Sequence, residues 1–343
     1  MNAIDRIEKQ VFALVFTVGF AVTARADDIP PPWAWGFAAP LASSSSGTIS
    51  LPSAAAAAPV PDDTKHNVRG SKFWFTVAEV NSPYAPADWF PVDHPPMPEI
   101  VAHGRESAKP QIYACGYCHL PNGKGRPENA NLTGLSYDYI VQQINDFRNG
   151  ARRTSDLRKT NTALMEGYAR ALTDEETKAA ASYFSSIPAT PWTKVVESNT
   201  VPKTRPSGGV LLTVEGSGAG MEPLGDRIVE TPVNADDFEL WRNPLSGFIA
   251  YVPPGSLRKG KTLVTTGGNK STPCGACHGA DLRGLGPIPP LAGRSPSYIV
   301  RQLFDMQHGN RVGSWTPRMI PVIVNLSNDD LLVIAAYLAS LDP

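Results

Sequence analysis

Apolar residues recur at helical spacing in two stretches of the chain that lie far apart. Each stripe occupies positions i, i+4 and i+7, which is the period of one face of an α-helix. The stripes are Ile140, Ile144 and Phe147 in the first stretch and Ile299, Leu303 and Met306 in the second. Gly150 and Gly309 follow three residues after these stripes, where a helix is expected to end. The pattern predicts two equivalent amphipathic helices.

A second amphipathic helix is predicted near the end of each stretch. Thr173 and Glu176 form a capping box, and Ser327 and Asp330 form a weaker, acidic version of it. The apolar positions behind these starts are Tyr183, Phe184 and Ile187 in the first stretch and Leu331, Ile334, Leu338 and Leu341 in the second. Both stretches are therefore expected to end on a helix with one buried face.

These parallels belong to an internal duplication. The matched segments, all at an offset of 159 residues, are 115–119 with 274–278 and 139–143 with 298–302. Met165 and Met319 also correspond, at an offset of 154, because the intervening loop of the second copy is five residues shorter. The sequence thus predicts two homologous, mainly α-helical modules at 96–190 and 256–343.

A leader sequence is predicted over residues 1–26. Two basic residues precede an apolar run from Val11 to Ala24, and an Ala-x-Ala site follows immediately before Asp27. This pattern is typical of a cleaved secretory signal, so the mature chain is expected in the periplasm, or anchored in the membrane if the signal is retained. No later segment of that length lacks charge and proline, so no membrane span is expected in the mature chain.

Two segments outside the modules have compositions of their own. The region 27–95 begins with a Pro/Ala/Ser-rich part, 27–61, in which 24 of 35 residues are Ala, Pro, Ser or Gly. This part is predicted to be an unstructured tether, whereas the aromatic remainder is expected to pack on a neighbouring domain. The connector 191–255 has short apolar runs between Pro and Gly clusters, which indicate strands or an extended strap across the modules.

The charge balance excludes one class of partner. The 343 residues include 31 Lys and Arg against 32 Asp and Glu, and a formal net charge of -1 offers no basic surface for nucleic acid. The 33 prolines indicate that long stretches are extended or loop-like. A single α/β domain is therefore not expected.

The four cysteines carry the most specific chemistry in the sequence. They form two Cys-x-x-Cys-His motifs, Cys115-Cys118-His119 and Cys274-Cys277-His278. Disulfides would not explain the histidines, and one zinc site would have to join pairs from separate modules. Cys-x-x-Cys-His is the attachment motif of c-type haem, since one short peptide supplies two thioethers and an axial ligand. The motifs predict two covalently attached haem c groups, with iron bound by the two histidines.

The second axial ligand of each iron is expected later in the same module. Met165 and Met319 occupy equivalent positions, in predicted loops before the last helix. Met306 also lies in the second module, but its repeat partner is Phe147, which cannot bind iron, so core packing explains it. The remaining histidines are expected in surface or packing roles; they are His66, His94, His103 and His308. His103, just upstream of the first motif, leaves bis-histidine ligation as an alternative.

A backbone carbonyl is expected to orient each iron-binding histidine, because such a histidine normally donates its other ring N–H to a fixed acceptor. The rigid turn at 289–293, Pro-Pro-Leu-Ala-Gly, is suited to present a carbonyl to His278. The corresponding segment 130–134 lacks the prolines. The two haems are therefore expected to differ in potential.

With its paired motifs, the turn at 289–293, the two methionines and the final helix, the chain resembles the dihaem bacterial c-type cytochromes similar to cytochrome c4. The resemblance implies a mainly α fold of two tandem class I cytochrome c domains, each around one haem. A Pro-rich N-terminal extension and an irregular or β-strap connector are additions to that plan. The resemblance also implies that the cofactor-binding residues are Cys115, Cys118, His119, Met165, Cys274, Cys277, His278 and Met319.

His/Met ligation and this resemblance imply a carrier of single electrons rather than an enzyme, with no catalytic residue. The expected partners are redox proteins, with a periplasmic dehydrogenase or respiratory complex as donor and a terminal oxidase as acceptor. Two alternatives stay open. A dihaem peroxidase has the same motifs but needs one iron with a displaceable ligand, and the cytochrome subunit of a periplasmic dehydrogenase would share all the haem chemistry.

Overall fold

The computed structural model describes residues 29–37, 63–107 and 109–343. The predicted signal at 1–26 and most of the predicted tether lie outside these residues. The described α-helices are α1 (Val77–Val80), α2 (Glu99–Ala102), α3 (Cys115–His119), α4 (Tyr137–Arg148), α5 (Thr160–Ala171), α6 (Asp174–Ser185), α7 (Ala235–Glu239), α8 (Ser256–Thr266), α9 (Gly275–His278), α10 (Pro296–Gln307), α11 (Thr316–Ile323) and α12 (Asn328–Ala339). The described strands are β1 (Thr193–Glu197), β2 (Thr200–Pro202), β3 (Thr204–Ser207), β4 (Val210–Thr213), β5 (Met221–Pro223), β6 (Val229–Pro232) and β7 (Phe248–Val252).

The first module consists of α2 to α6 around one apolar core. As the stripe predicts, Ile140 and Ile144 of α4 are buried in it, and Gly150 follows the helix with a φ of +69°. The predicted capping box opens α6: Thr173 Oγ1 accepts from the N–H of Glu176, whose carboxylate accepts in turn from the N–H of Thr173. Both helix predictions are confirmed in this module.

The second module repeats this plan with α8 to α12. Ser327 and Asp330 form the predicted capping box of α12, and Met306 is buried in the core, as its repeat partner suggests. A Cβ at Gly260 would lie 1.9 Å from the carbonyl oxygen of Val333, so only glycine allows α8 to cross α12 so closely. Among the residues that the structure describes, no single helix has the length and apolar character to cross a membrane; α11 and α12 meet that criterion only as a pair bent by 112°.

The two candidate methionine ligands lie in helices, and the prediction of loops is wrong at both positions. Met165 is on α5 and Met319 is on α11. The α5 helix contains Gly167 in its interior, which disfavours a helix prediction. The α11 helix is short and contains Pro321, which disfavours a helix prediction.

The connector contains the strands that its apolar runs predict. A three-stranded sheet has the order β1-β7-β6, with β1 parallel and β6 antiparallel to β7. Its Ala250 and Val252 join the core of the second module, whereas Phe248 packs in a cluster with Leu120 of the first. The sheet thus lies between the modules. Glu230 of β6 joins it to the start of α10, because its carboxylate accepts from the hydroxyls of the two serines at positions 295 and 297.

The aromatic segment before the first module packs on its neighbours, as expected. Trp89 is only 1% exposed, and its Nε1 donates to the carbonyl of Trp241 in the connector at 2.7 Å. The N–H of Ala114, immediately before α3, donates to the carbonyl of Pro83. This segment therefore supports the peptide that carries the first Cys-x-x-Cys-His motif.

Residues 29–37 are folded, so the prediction of an unstructured tether is wrong for them. Trp35, in a short 3-10 helix, is fully buried in the core of the second module. Its ring packs edge-on against Phe304 at a centroid distance of 5.6 Å, and its Nε1 donates to Oγ1 of Thr154 in the first module at 2.9 Å. An average composition conceals such an anchor, because one tryptophan buries enough apolar surface to order a short segment.

Replacing Trp35 with Ala is expected to lower the free energy of unfolding by about 3–5 kcal/mol, since it removes a fully buried ring. Trp74 is 59% exposed and serves as the matched control; Trp74→Ala should change the free energy of unfolding by no more than about 0.5 kcal/mol. Urea unfolding of the haem-loaded chain, followed by circular dichroism, measures both. Equal effects of the two substitutions would show that the 29–37 segment is not docked in solution.

Candidate haem sites

The first Cys-x-x-Cys-His motif and Met165 line one cavity. Cys115, Cys118 and His119 come from α3 and Met165 comes from α5. The remaining lining is largely apolar and includes Ile112, Leu135, Ile140, Ile144, Leu172 and Phe184. The structure thus brings together all four residues that the sequence assigns to the first haem.

The histidine of each motif is oriented by a backbone carbonyl at the same place in the repeat. His119 Nδ1 donates to the carbonyl of Ala130 at 2.9 Å, and His278 Nδ1 donates to the carbonyl of Pro289 at 2.8 Å. Burial lowers the pKa of both rings, although these hydrogen bonds oppose the shift. Each ring is therefore neutral at pH 7 and keeps an Nε2 lone pair for a metal ion.

The expected carbonyl at the 289–293 turn is confirmed, and the first module makes the same contact without prolines. A glycine in each module makes this possible. Gly125 and Gly284 have positive φ, and their N–H groups donate to the carbonyls of His119 and His278. A Cβ at Gly125 would lie 2.5 Å from the carbonyl oxygen of Ala130. The 159-residue repeat could have identified this glycine pair, which the motif search missed.

The four cysteines form no disulfides, so all are available for thioether bonds to haem. Burial raises the pKa of Cys115 to about 12 and that of Cys274 to about 11, so neither resembles the low-pKa thiolate of a redox or metal site. Within the described part of the chain, no group of three His, Cys, Asp or Glu side chains could hold a metal ion. The two cysteine pairs therefore do not combine into one zinc site.

The residues present fit a haem in the first cavity. A largely apolar lining suits the porphyrin, the two thiols suit its vinyl groups, and a neutral imidazole and a thioether suit its iron. At another part of the lining, the buried Nζ of Lys159 has no hydrogen-bond partner. Burying an ammonium without a partner is costly, so this position suits an anionic group.

In the second module the four candidate residues lie on the corresponding elements. Cys274 and Met319 both pack against the core of that module, and His278 is buried, whereas Cys277 is exposed. The position of Met319 on α11 matches that of Met165 on α5, so the two methionine helices are equivalent in the repeat.

The other histidines have surface or packing roles, as expected. His66 stacks on Trp241, His94 lies 3.2 Å from the carboxylate of Asp88, and His308 stacks on Phe304. His103 is exposed, its Nδ1 lies 3.2 Å from the carbonyl of Tyr84, and it does not line the first cavity. The geometry favours Met165 over the bis-histidine alternative.

The two modules meet through a symmetric hydrogen-bond network that the sequence reasoning missed. Its members are three repeat pairs at the 159-residue offset: Tyr139 with Tyr298, Gln143 with Gln302, and Arg152 with Arg311. Each arginine donates to the glutamine of its own module and to the tyrosine and glutamine of the other, at 2.8–3.1 Å. Tyr298, Gln302 and Arg152 also line the first cavity. The second module therefore forms part of the first haem site.

Comparison with known proteins agrees with this site. The cytochrome c family model matches residues 108–188. Cytochrome c-554(548) of Halomonas halodenitrificans is 40% identical over 78 residues, which are 22% of this chain and 94% of that protein. Cytochrome c4 of Pseudomonas aeruginosa is 43% identical over 78 residues, 22% of this chain and 37% of that protein. A thiosulfate dehydrogenase electron acceptor of Stutzerimonas stutzeri is 25% identical over 236 residues, 68% of this chain and 81% of that protein.

The helical fold, the motifs and these matches define a dihaem c-type cytochrome. The chain belongs to the cytochrome c family. It carries covalently bound haem c and transfers electrons.

Proposed function

We propose that the chain carries single electrons in the periplasm between a dehydrogenase or respiratory donor and a terminal acceptor. This proposal rests on one observation: a single, largely apolar cavity is lined by Cys115, Cys118, His119 and Met165. An iron with side chains at both axial positions has no open position for a substrate, and a thioether ligand raises its potential. These properties favour a carrier over a peroxidase.

The proposed ligands divide equally between two tandem class I cytochrome c domains, 96–190 and 256–343. The first haem would be held by Cys115, Cys118, His119 and Met165, and the second by Cys274, Cys277, His278 and Met319. Supporting contacts repeat between the domains: the N–H of Gly134 donates to the carbonyl of Ile187 and that of Gly293 to the carbonyl of Leu338, both at 2.9 Å. These bonds tie the loop after each axial histidine to the end of the module.

The bound haem iron supplies a reversible one-electron couple, and the protein controls its surroundings. The carbonyls of Ala130 and Pro289 hold the imidazoles in one tautomer, and the apolar side chains exclude water. The network of Arg152 and Arg311 holds the two domains in one orientation. The distance for electron exchange between the haems is thereby set by buried side chains, with further support from the sheet of the 191–255 connector.

A thiosulfate-oxidising dehydrogenase is the first donor to test. The alignment with the Stutzerimonas stutzeri electron acceptor spans 236 residues, which are 68% of this chain. Mass spectrometry of the purified chain should show two covalent haems. Mixing the oxidised chain with such a dehydrogenase and thiosulfate should then reduce both haems, and an oxidase-containing membrane fraction should reoxidise them.

Three other outcomes would contradict parts of this proposal. High-spin iron with turnover of hydrogen peroxide would indicate a peroxidase. Isolation from the native host only as a fixed complex with a dehydrogenase would indicate a permanent subunit. Zinc in place of haem would refute the cofactor assignment altogether.

A further inference from the structure

Two cations at the edge of the first cavity are buried with no carboxylate within ion-pair distance, 4.0 Å, among the described residues. Lys159, immediately before α5, is 6% exposed, and its Nζ has no hydrogen-bond partner. Arg301, on α10 of the second module, is 3% exposed and donates only to the backbone carbonyls of Ala34 and Pro127. Both line the cavity that contains Cys115 and Met165. Burying an unpaired cation is costly, so this arrangement favours an anion in the cavity.

Two carboxylates, those of Glu128 and Asp305, also line this cavity, but neither lies within 4.0 Å of Lys159 or Arg301. Glu128 pairs with Arg126 at 2.6 Å, and Asp305 accepts from the N–H and the hydroxyl of Ser155 at 2.8 and 2.7 Å. Among the described residues, no acidic side chain forms an ion pair with Lys159 or Arg301. Burial, together with the nearby Arg301 charge, lowers the pKa of Lys159 to about 7, although the charges of Glu128, Asp305 and Asp156 oppose the shift. Within the part of the chain that the structure describes, these cations therefore have no direct ion pair.

The second module has different residues at the corresponding positions. The repeat partner of Arg301 is Gln142, which donates instead to Asp146 and Ser314. Six positions before the methionine, the residue is Lys159 in the first module but Gly313 in the second. Arg152 and Arg311 are repeat partners, so each module contributes one of these charges. Lys159 and Arg301 have no charged counterpart at the second site, and they therefore make the two sites differ in charge.

We propose that Lys159 and Arg301 form a binding subsite for the carboxylates of the haem attached at Cys115 and Cys118, and that this subsite makes the first haem the more easily reduced of the two. The inference rests on the proposed ligand assignment. Haem carboxylates stabilise oxidised iron through their negative charge, and a buried cation bound to them cancels that effect. Electrons arriving at either site would then collect on the first haem.

The test is a redox titration of the haem-loaded chain with Lys159→Met. At a fixed applied potential, the ratio of reduced to oxidised first haem is expected to fall about tenfold, equal to about 59 mV for a one-electron couple. The second haem should not change. Lys159→Arg should retain the wild-type value, and Arg301→Gln, which installs the residue of the repeat partner, should shift the first haem in the same direction as Lys159→Met.

Lys178→Met is the matched control, because Lys178 is an exposed lysine on α6 of the same module. This substitution removes the same positive charge from a solvent-exposed position, so it should change the potential of neither haem. Met165→His marks the first haem in the titration, since nitrogen ligation displaces its potential. Resonance Raman bands of the haem carboxylates give a second readout, which should change in Lys159→Met and Arg301→Gln but not in Lys178→Met.

The outcomes separate this subsite from the function on which it rests. Absence of haem at Cys115 and Cys118 in the wild-type chain would refute the ligand assignment and the subsite together. Two attached haems with no shift in either Lys159→Met or Arg301→Gln would refute only the subsite. A shift confined to the second haem, or a wild-type chain whose second haem is reduced first, would also overturn it.

Discussion

The double variant Cys115→Ala, Cys118→Ala is expected to carry one covalently bound haem in place of two. Both thiols lie on α3 and line the first cavity, so their loss removes the only thioether bonds available to that haem. Cys274 and Cys277 belong to a module with its own core and should still attach theirs. Intact-mass spectrometry and haem staining after denaturation measure the number of attached groups.

The reciprocal variant, Cys274→Ala with Cys277→Ala, is the matched control. It should also retain one haem, now in the first module, and the two variants should differ in the potential of the haem that remains. Retention of two covalent haems by either variant, or release of all haem from the denatured wild-type chain into organic solvent, would contradict the assignment.

Met165→Ala and Met319→Ala are each expected to remove about half of the charge-transfer band that arises from methionine sulfur bound to oxidised haem iron. Each is expected to lower the potential of one haem, because a thioether ligand stabilises reduced iron. The absorption spectrum of the oxidised protein and a redox titration measure the two effects.

Met306→Leu provides the control for the methionine variants. Met306 is buried in the second core, and its repeat partner is Phe147, so a leucine of similar size should preserve both the band and the potentials. Loss of the band in Met306→Leu, or its full retention in Met165→Ala, would mean that the helix-borne methionines are not the ligands.

The helix boundaries follow from local signals in the sequence. The number of modules follows from the 159-residue repeat. Capping boxes at Thr173 and Ser327 and glycines at 150 and 309 act within a few residues, so the sequence alone located α4, α6, α10 and α12. The methionine helices are not predicted because each contains a residue that disfavours helix, Gly167 in α5 and Pro321 in α11. The docking of Trp35 was missed because its partners, Thr154 and Phe304, are more than 100 residues away.

The chemistry of each site can be predicted from the Cys-x-x-Cys-His motifs. Cys-x-x-Cys-His places two thiols and an imidazole within one helical turn, so five consecutive residues are enough to specify attachment and one axial ligand. The repeat then supplied the equivalent methionines and predicted that a carbonyl near 289 orients His278, which the structure confirms at Pro289.

The difference between the two sites and the contacts that join them depend on how distant segments of the chain pack together. Lys159 and Arg301 are 142 positions apart, and both are of residue types that usually lie at the protein surface. Folding nevertheless buries them at one edge of one cavity. The hydrogen bonds that Arg152 and Arg311 donate to the opposite module are likewise not apparent from the sequence. Burial gives these charges their effect, since a cation excluded from water interacts strongly with its neighbours, and burial depends on contacts across the whole chain.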